Sequence, residues 1–255
     1  PLDNPESEMS ALKAKPSSLT PLEQLGKELF FDNISEPARQ SCASCHGPLV
    51  GFTGPIPGIN LLTAVYPGAV PTRFGNRKPP SAAYATMSPI FHYDSDDKLF
   101  IGGNFWDGRA TGEKLGNPAA DQALGPFTNS VEMNMPSEKA VREVIAKSKY
   151  AGLWEEVHGE PISNETPEEI TANYNRVGLA IAAYEASPEV NQFSSKYDYY
   201  LAGEVVLTDQ EADGLALFNG KGKCNLCHPS EGPAPLFTDF TYDNLGVPKN
   251  HQNTI

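Results

Sequence analysis

One pattern occurs twice and constrains this chain more than any other feature: Cys-x-x-Cys-His, as CASCH at residues 42–46 and as CNLCH at residues 224–228. In this pattern the two thiols form thioether bonds with a porphyrin, and the adjacent imidazole becomes an iron ligand. The sequence therefore predicts two covalently bound c-type haems. The attachment residues are Cys42, Cys45, Cys224 and Cys227, and the iron ligands are His46 and His228.

Other uses of paired cysteines fit the chain less well. Disulfide bonds would leave both histidines without a purpose and would not explain the repeat. A thioredoxin-like redox pair needs a βαβ context, which the sequence does not suggest. A zinc ribbon places its two cysteine pairs within about 20 residues of each other, whereas more than half of this chain separates Cys45 from Cys224.

The net charge limits the partners that this chain can bind. Its 255 residues include 32 acidic and 19 basic side chains, which gives a formal net charge of −13. This charge repels phosphate backbones and anionic lipid, so we expect no nucleic-acid partner and no membrane partner, and a protein partner should be basic. No apolar run reaches the roughly 18 residues of a membrane span. The 22 glycines and 23 prolines predict long ordered loops.

Helix-start signals predict a mainly α fold. Thr20, Thr166 and Thr208 each begin a capping box, and Ser137 begins a shorter helix. After each of these residues, apolar side chains recur at helical spacing. In the helix after Thr166 they are Ile170, Tyr174, Val177, Ile181 and Tyr184, and Pro188 marks its end. No comparable series of alternating, β-branched residues predicts strands.

The two motifs lie in similar segments, which indicates a duplicated unit. Leu19-Thr20, Gly26 and Leu29-Phe30 precede the first motif, Leu207-Thr208, Gly214 and Leu217-Phe218 precede the second, and a Phe-Thr pair follows each. We therefore predict two cytochrome c-like haem domains. Residues 1–187 would form the N-terminal domain with the first haem, and residues 188–255 the C-terminal domain with the second.

Several segments resemble the bacterial di-haem cytochrome c peroxidase family, which includes the MauG-type enzymes. The resemblance extends from about Leu19 to the last residue. It is carried by LGKELFFD at 25–32, SCASCHGPLVGFT at 41–53, FWDGRA at 105–110, Gln122 with GPFTNSVEM at 125–133, and LTDQEADGLALFNGKGKCNLCH at 207–228. It implies that the first haem is the peroxide site and that the second haem receives electrons.

The resemblance also implies roles for three further residues. Trp106 matches a tryptophan that relays electrons between the haems, Glu132 matches a carboxyl group beside the peroxide, and Gln122 matches a neighbouring amide. Peroxide must lose a proton from one oxygen and gain one on the other before the O–O bond breaks, and a carboxyl group above the iron can move that proton. The plainer alternatives are a solvated carboxylate at Glu132 and core packing at Trp106.

The chain departs from the family pattern near the first motif. Many family members have a histidine in the following loop that blocks the iron, but residues 47–77 contain none. The first haem is therefore expected to be open in the resting state, as in MauG-type members. The family also has a calcium site between the haems that uses an asparagine. Lys78 stands at that point here, with Asn76 two residues away; because an ammonium group cannot ligate calcium, we expect the lysine to supply the positive charge instead.

The sixth ligand of the second haem is a further departure. In the family this ligand is methionine in peroxidases or tyrosine in MauG-type members, and it lies well beyond the second motif. Only 27 residues follow His228, so we expect the ligand and the end of the second domain to lie outside this sequence. The other histidines and methionines are His92, His158, His251, Met9, Met87, Met133 and Met135. The three histidines are more simply read as surface or core side chains.

These observations lead to three hypotheses for the function. The first is a periplasmic peroxidase that reduces hydrogen peroxide to water with electrons from a small cytochrome c or copper protein; covalent haem attachment is a chemistry of exported proteins. The second is a MauG-type enzyme that oxidises aromatic residues of a partner protein. The third is a di-haem electron-transfer protein. Dimers are common in the family, so a homodimer is a further expectation.

Overall fold

A computed structural model of the chain describes residues 18–63, 65–162, 166–246 and 248. Within these residues the fold is mainly helical, as predicted, with little sheet. The α-helices are α1 (Pro21–Phe31), α2 (Cys42–Cys45), α3 (Pro57–Leu62), α4 (Pro118–Thr128), α5 (Glu138–Ala146), α6 (Ala151–His158), α7 (Pro167–Ala186), α8 (Lys196–Leu201) and α9 (Asp209–Asn219). Short 3₁₀ helices span Pro48–Val50, Ala85–Met87 and Cys224–Leu226. Strands β1 (His92–Asp94) and β2 (Leu99–Ile101) form an antiparallel hairpin.

The helix-start predictions are confirmed. Thr20, Thr166 and Thr208 each form a complete capping box, and the Ser137 side chain accepts a hydrogen bond from the third residue of its helix. Helix α4 was not predicted, because its N-cap is an asparagine without a capping box. The side chain of Asn117 accepts hydrogen bonds from the first turn of that helix.

Helix α7 lies at the centre of the hydrophobic core. It packs against α1, α4 and α5, and its predicted apolar residues Tyr174, Val177 and Ile181 are buried there. The contact with α1 is close, since a Cβ atom placed on Gly26 would lie 1.8 Å from the carbonyl oxygen of Ala180. A glycine is therefore required where these two helices cross.

The hairpin joins the chain after the second motif to the middle of the molecule. Thr241 forms an isolated bridge with Ile101 on β2, and the amide of Tyr242 donates to the carbonyl of Phe100 at 3.0 Å. Strands this short give too little alternation for a sequence pattern to reveal them. None of the described helices is both long and apolar enough to cross a membrane.

Candidate functional site

The first Cys-x-x-Cys-His motif forms a short helix that ends at its histidine. Cys42 and Cys45 are the first and last residues of α2, and His46 follows directly. The ring nitrogen Nδ1 of His46 lies 3.1 Å from the carbonyl oxygen of Phe52. A carbonyl that engages Nδ1 leaves Nε2 as the nitrogen that can bind a metal. Burial lowers the pKa of His46, although the Phe52 and Pro80 carbonyls oppose this shift, and so favours the neutral form that ligates iron.

A cavity adjoins this motif and collects the other predicted site residues. It encloses about 920 Å³, including space open to solvent, which is within the range of cofactor sites. Gln122 on α4, Glu132 after α4 and Trp106 in the FWDGRA segment all line it, together with Cys42, Cys45 and His46. The structure thus brings together residues from four separate parts of the sequence. Their chemical roles stay predictions.

The carboxyl group of Glu132 is largely buried beside this cavity. Burial raises its pKa, while the Asn129 amide, which donates to Oε2 at 2.9 Å, and the Arg109 charge oppose that shift. The backbone carbonyl of Glu132 accepts from the amide of Ala69 at 2.7 Å, which ties the residue to the loop after the first motif. Glu132 is therefore held in place on two sides, and its carboxyl group keeps a proton at a higher pH than a solvated glutamate does.

Trp106 lines the cavity and is hydrogen-bonded to Lys78, the residue that the family resemblance places at the calcium position. Its indole Nε1 donates a 2.7 Å hydrogen bond to the backbone carbonyl of Lys78. The indole is 59% exposed, so core packing alone does not account for its position. Lys78 and Asn76 line the same cavity.

Basic side chains line the cavity of this acidic chain. Arg77 and Arg109 both pair with Asp107, each at 2.8 Å, and the Arg109 guanidinium lies 3.8 Å from the centre of the Phe105 ring. Lys78 adds a third positive charge to the lining. Haem carries two carboxylates, so the charge and volume of the cavity fit this cofactor.

The second motif resembles the first in the environment of its histidine. Nδ1 of His228 lies 2.8 Å from the carbonyl oxygen of Phe237. Phe52 and Phe237, each of which begins a Phe-Thr pair, both have left-handed backbone conformations with φ of 55°. The duplication that the sequence predicts is therefore also a repeat of hydrogen bonding, which supports the same ligand role for both histidines.

The surroundings of the second motif are more exposed. The Phe237 ring contacts the rings of Tyr197 on α8 and Phe218 on α9, which positions the carbonyl that His228 uses. Leu217 before the motif and Leu226 within it are 56% and 70% exposed. Such uncovered apolar side chains fit a site that receives an apolar porphyrin.

A protein-family model described as di-haem cytochrome c peroxidase matches residues 20–206. The chain belongs to this di-haem cytochrome c peroxidase family. Membership implies two c-type haems, and the cavity, its basic lining and the similar surroundings of His46 and His228 fit such groups.

Relatives named for both subtypes in the family are similar to the chain. The methylamine utilization protein MauG of Paracoccus denitrificans is 37% identical over 94% of this chain and 60% of its own length. The cytochrome-c peroxidase IdrP2 of Denitromonas iodatirespirans is 30% identical over 96% of this chain and 56% of its own. The structure of the diheme peroxidase BthA from Burkholderia thailandensis superposes with a TM-score of 0.78, at 34% identity, over 94% of this chain and 57% of that one. The chain therefore spans a little more than half of these di-haem proteins.

The histidines and methionines that could be the sixth ligand of a haem iron lie in separate parts of the structure. His92 is exposed on β1, and His158 packs against the Trp154 ring at 4.4 Å. Met87 is 40% exposed, Met133 and Met135 are buried in the core, and only Met133 of these also lines the cavity. Met9 and His251 lie outside the described residues. Apart from His46, no histidine of the described chain lines the cavity.

Sequence reasoning did not single out several side chains of the cavity, among them Gln40 and Glu185. Gln40, just before the motif, donates to the carbonyl of Pro67 at 3.2 Å and lies 3.4 Å from the Cys45 sulfur. Glu185 on α7 also lines the cavity and is 4% exposed. The signal for Glu185 was present, since an acidic residue stands one turn after Ile181 on the face that the apolar spacing predicts to be buried.

Proposed function

We propose that this protein is a periplasmic di-haem peroxidase that reduces hydrogen peroxide to water with electrons from a small redox protein. The observation that carries this proposal is the single cavity that contains the first Cys-x-x-Cys-His motif together with Glu132, Gln122 and Trp106. A protein that only transfers electrons has no need of a buried, proton-holding carboxyl group beside an open haem.

The chain supplies the proton chemistry of the reaction. When bound, the first haem supplies an iron that binds peroxide and the electrons that break its O–O bond. Glu132 takes the proton from one peroxide oxygen and returns it to the other, which leaves as water. Gln122 would orient peroxide by hydrogen bonding, and His46 would hold the haem iron. Arg77, Lys78 and Arg109, which line the cavity, would balance the charge of the haem carboxylates.

Electrons would be received at the site of His228 and reach the first site past Trp106. The bond from the Trp106 indole to the Lys78 carbonyl, at 2.7 Å, fixes the orientation of the ring on this route. We propose that the Lys78 ammonium provides the positive charge that calcium provides in relatives, so that the route works without a divalent cation.

The proposal is tested with the purified holoprotein. The resting ferric spectrum should contain one high-spin haem, and the protein should consume peroxide with reduced cytochrome c as donor. A spectrum with only low-spin, six-coordinate haem would exclude both enzyme functions and favour an electron-transfer protein. In that case Met133, the buried methionine of the cavity, is the first candidate for the sixth ligand of the first haem, and its replacement tests that role.

A MauG-type function is the second candidate, and one observation favours it. No histidine other than His46 lines the cavity in the described chain, and the resemblance implies an open first haem for MauG-type members. This candidate predicts a long-lived oxidised state after peroxide is added, little turnover with a small donor, and oxidation of aromatic residues on a partner protein. Rapid turnover with cytochrome c would favour the peroxidase.

A further inference from the structure

Glu185 is a buried carboxyl group of the first cavity that the proposed chemistry does not use. It lies near the end of α7, is 4% exposed and faces the cavity one helical turn after Ile181. Glutamate is almost never fully buried unless a cation is paired with it. Within the described chain, however, neither a cation nor a hydrogen-bond donor reaches its carboxyl group, and the Asn191 amide binds only its backbone carbonyl.

The ionisable groups around Glu185 do not neutralise it. Cys42 on α2 faces it, but this thiol becomes a thioether when haem is attached. Tyr184 is its neighbour on α7, and Glu189 in the following turn is paired with Lys27 of α1 at 2.6 Å. The other ionisable residues of the cavity lining are Cys45, His46, Tyr66, Arg77, Lys78, Arg109 and Glu132.

The protonation of such a group depends on the charge beside it. Burial raises the pKa of Glu185 to about 8, so the carboxyl group is mostly neutral at pH 7. A positive charge that appears in the same cavity favours the carboxylate, and this effect is strong where the dielectric is low. Cys42, which faces Glu185, is an attachment residue of the first haem, so the charge that changes in this cavity is that of the haem.

We propose that Glu185 is the proton-coupled redox group of the first haem. When this haem gives up one electron to a one-electron oxidant, an oxidised redox protein or the electrode of the titration below, the Glu185 carboxyl group gives up one proton to solvent through the cavity. When the haem regains the electron, Glu185 regains a proton. The net charge of the buried site is thus the same before and after each electron transfer. This coupling depends on haem attachment at residues 42–46 and not on peroxidase turnover.

The test is a spectroelectrochemical titration of both haems in the holoprotein at pH values on either side of 8. The potential of the first haem should fall as the pH rises through about 8, because the ionised carboxylate stabilises the more positive, oxidised haem. In Glu185→Gln the side chain stays neutral, so the potential should match that of acidic wild type and lose this pH dependence. The same pH dependence in wild type and Glu185→Gln would overturn the proposal.

Two further variants separate the coupling from a structural effect. Glu189→Gln removes a carboxylate four residues away that is half-exposed and already paired, and it should keep the wild-type pH dependence. Glu185→Asp retains a titratable group, so it should keep a pH dependence with a shifted midpoint even if Glu185→Gln binds haem poorly. The potential of the second haem should be the same in all variants.

Infrared difference spectroscopy observes the proton directly. Oxidation of the wild-type protein near neutral pH should remove the band of a protonated carboxyl group, and the band should be missing from the difference spectrum of Glu185→Gln. An identical band in both proteins would assign the proton to another group and refute the coupling. Because neither measurement uses turnover, loss of the peroxidase proposal would leave this result unchanged.

Discussion

Glu132 combines a buried carboxyl group with one side-chain donor, the Asn129 amide at 2.9 Å. If its carboxylate moves the peroxide proton, Glu132→Gln should slow the reaction with peroxide by at least about 100-fold, the usual contribution of general acid–base catalysis. The haem content should not change, because Glu132 holds no part of the attachment motif. Stopped-flow spectroscopy of the first haem measures this rate, and an equal rate in the two proteins would refute the assigned role.

Asn129→Ala tests the role of Glu132 by changing the pKa of its carboxyl group. The Asn129 hydrogen bond lowers the pKa of Glu132, so its removal should raise that pKa further. The carboxylate, which is the form that accepts the proton, would then be lost at a higher pH. We expect the acidic limb of the pH–rate profile to move to higher pH in Asn129→Ala, while the plateau rate at alkaline pH stays close to wild type. If the acidic limb does not move, a group other than Glu132 controls the pH dependence of the rate.

The family resemblance places Lys78 at the position of a calcium ligand, and an ammonium group cannot bind a cation. Removal of divalent cations with a chelator should therefore leave peroxide turnover and inter-haem electron transfer unchanged in the wild type. In Lys78→Met the positive charge is absent, and we expect slower electron transfer between the haems with or without calcium. Loss of activity on chelation, with recovery on adding calcium, would show that a calcium site persists.

At the scale of helices, the crossing of α1 and α7 rests on one glycine. A methyl group at Gly26 would meet the carbonyl of Ala180 at 1.8 Å, so the helices must separate to admit it. Gly26→Ala should lower the free energy of unfolding by about 1–3 kcal/mol or more, measured by denaturant titration. Gly214→Ala is the matched control, since this residue is the counterpart in the repeat and a methyl group there meets nothing within 4 Å. It should be neutral or stabilise α9 by about 1 kcal/mol.

Sequence patterns within a few residues of each other predicted four of the helices and both haem motifs. Capping boxes and apolar spacing gave α1, α5, α7 and α9, and the cysteine spacing gave both haem motifs. The hairpin and helices α3, α4, α6 and α8 were missed, because strands of three residues, short helices and an asparagine cap leave only weak patterns. Within the site, the resemblance supplied Glu132, Gln122 and Trp106, but no local pattern could place Glu185 against Cys42. The two residues come together only in the fold, where α7 and α2 both contribute to the lining of the cavity.

At the scale of the molecule, the first cavity is built from segments that lie far apart in the sequence. Residues 40–46, 66–80, 105–109, 122–133 and 181–185 all contribute to its lining. The FWDGRA segment and the chain that follows the second motif meet beside it: Gly108 lies next to the Tyr242 hydroxyl, and Tyr242 is hydrogen-bonded to β2. The two predicted haem domains are thus joined near Trp106, which is the place where an inter-haem electron route would cross between them.

The charge of the molecule is distributed so that binding of a donor should depend on salt. The chain carries a net charge of −13, while three basic side chains are gathered at the first cavity, so the excess negative charge is available elsewhere to attract a basic redox partner. The second-order rate of reduction by a basic cytochrome c should therefore fall steeply as ionic strength rises, because the Debye length shortens to about 10 Å at 0.1 M salt. Reduction by a small neutral reductant is the control and should change little. A cytochrome rate that is independent of ionic strength would mean that apolar contacts, and not charge, select the donor.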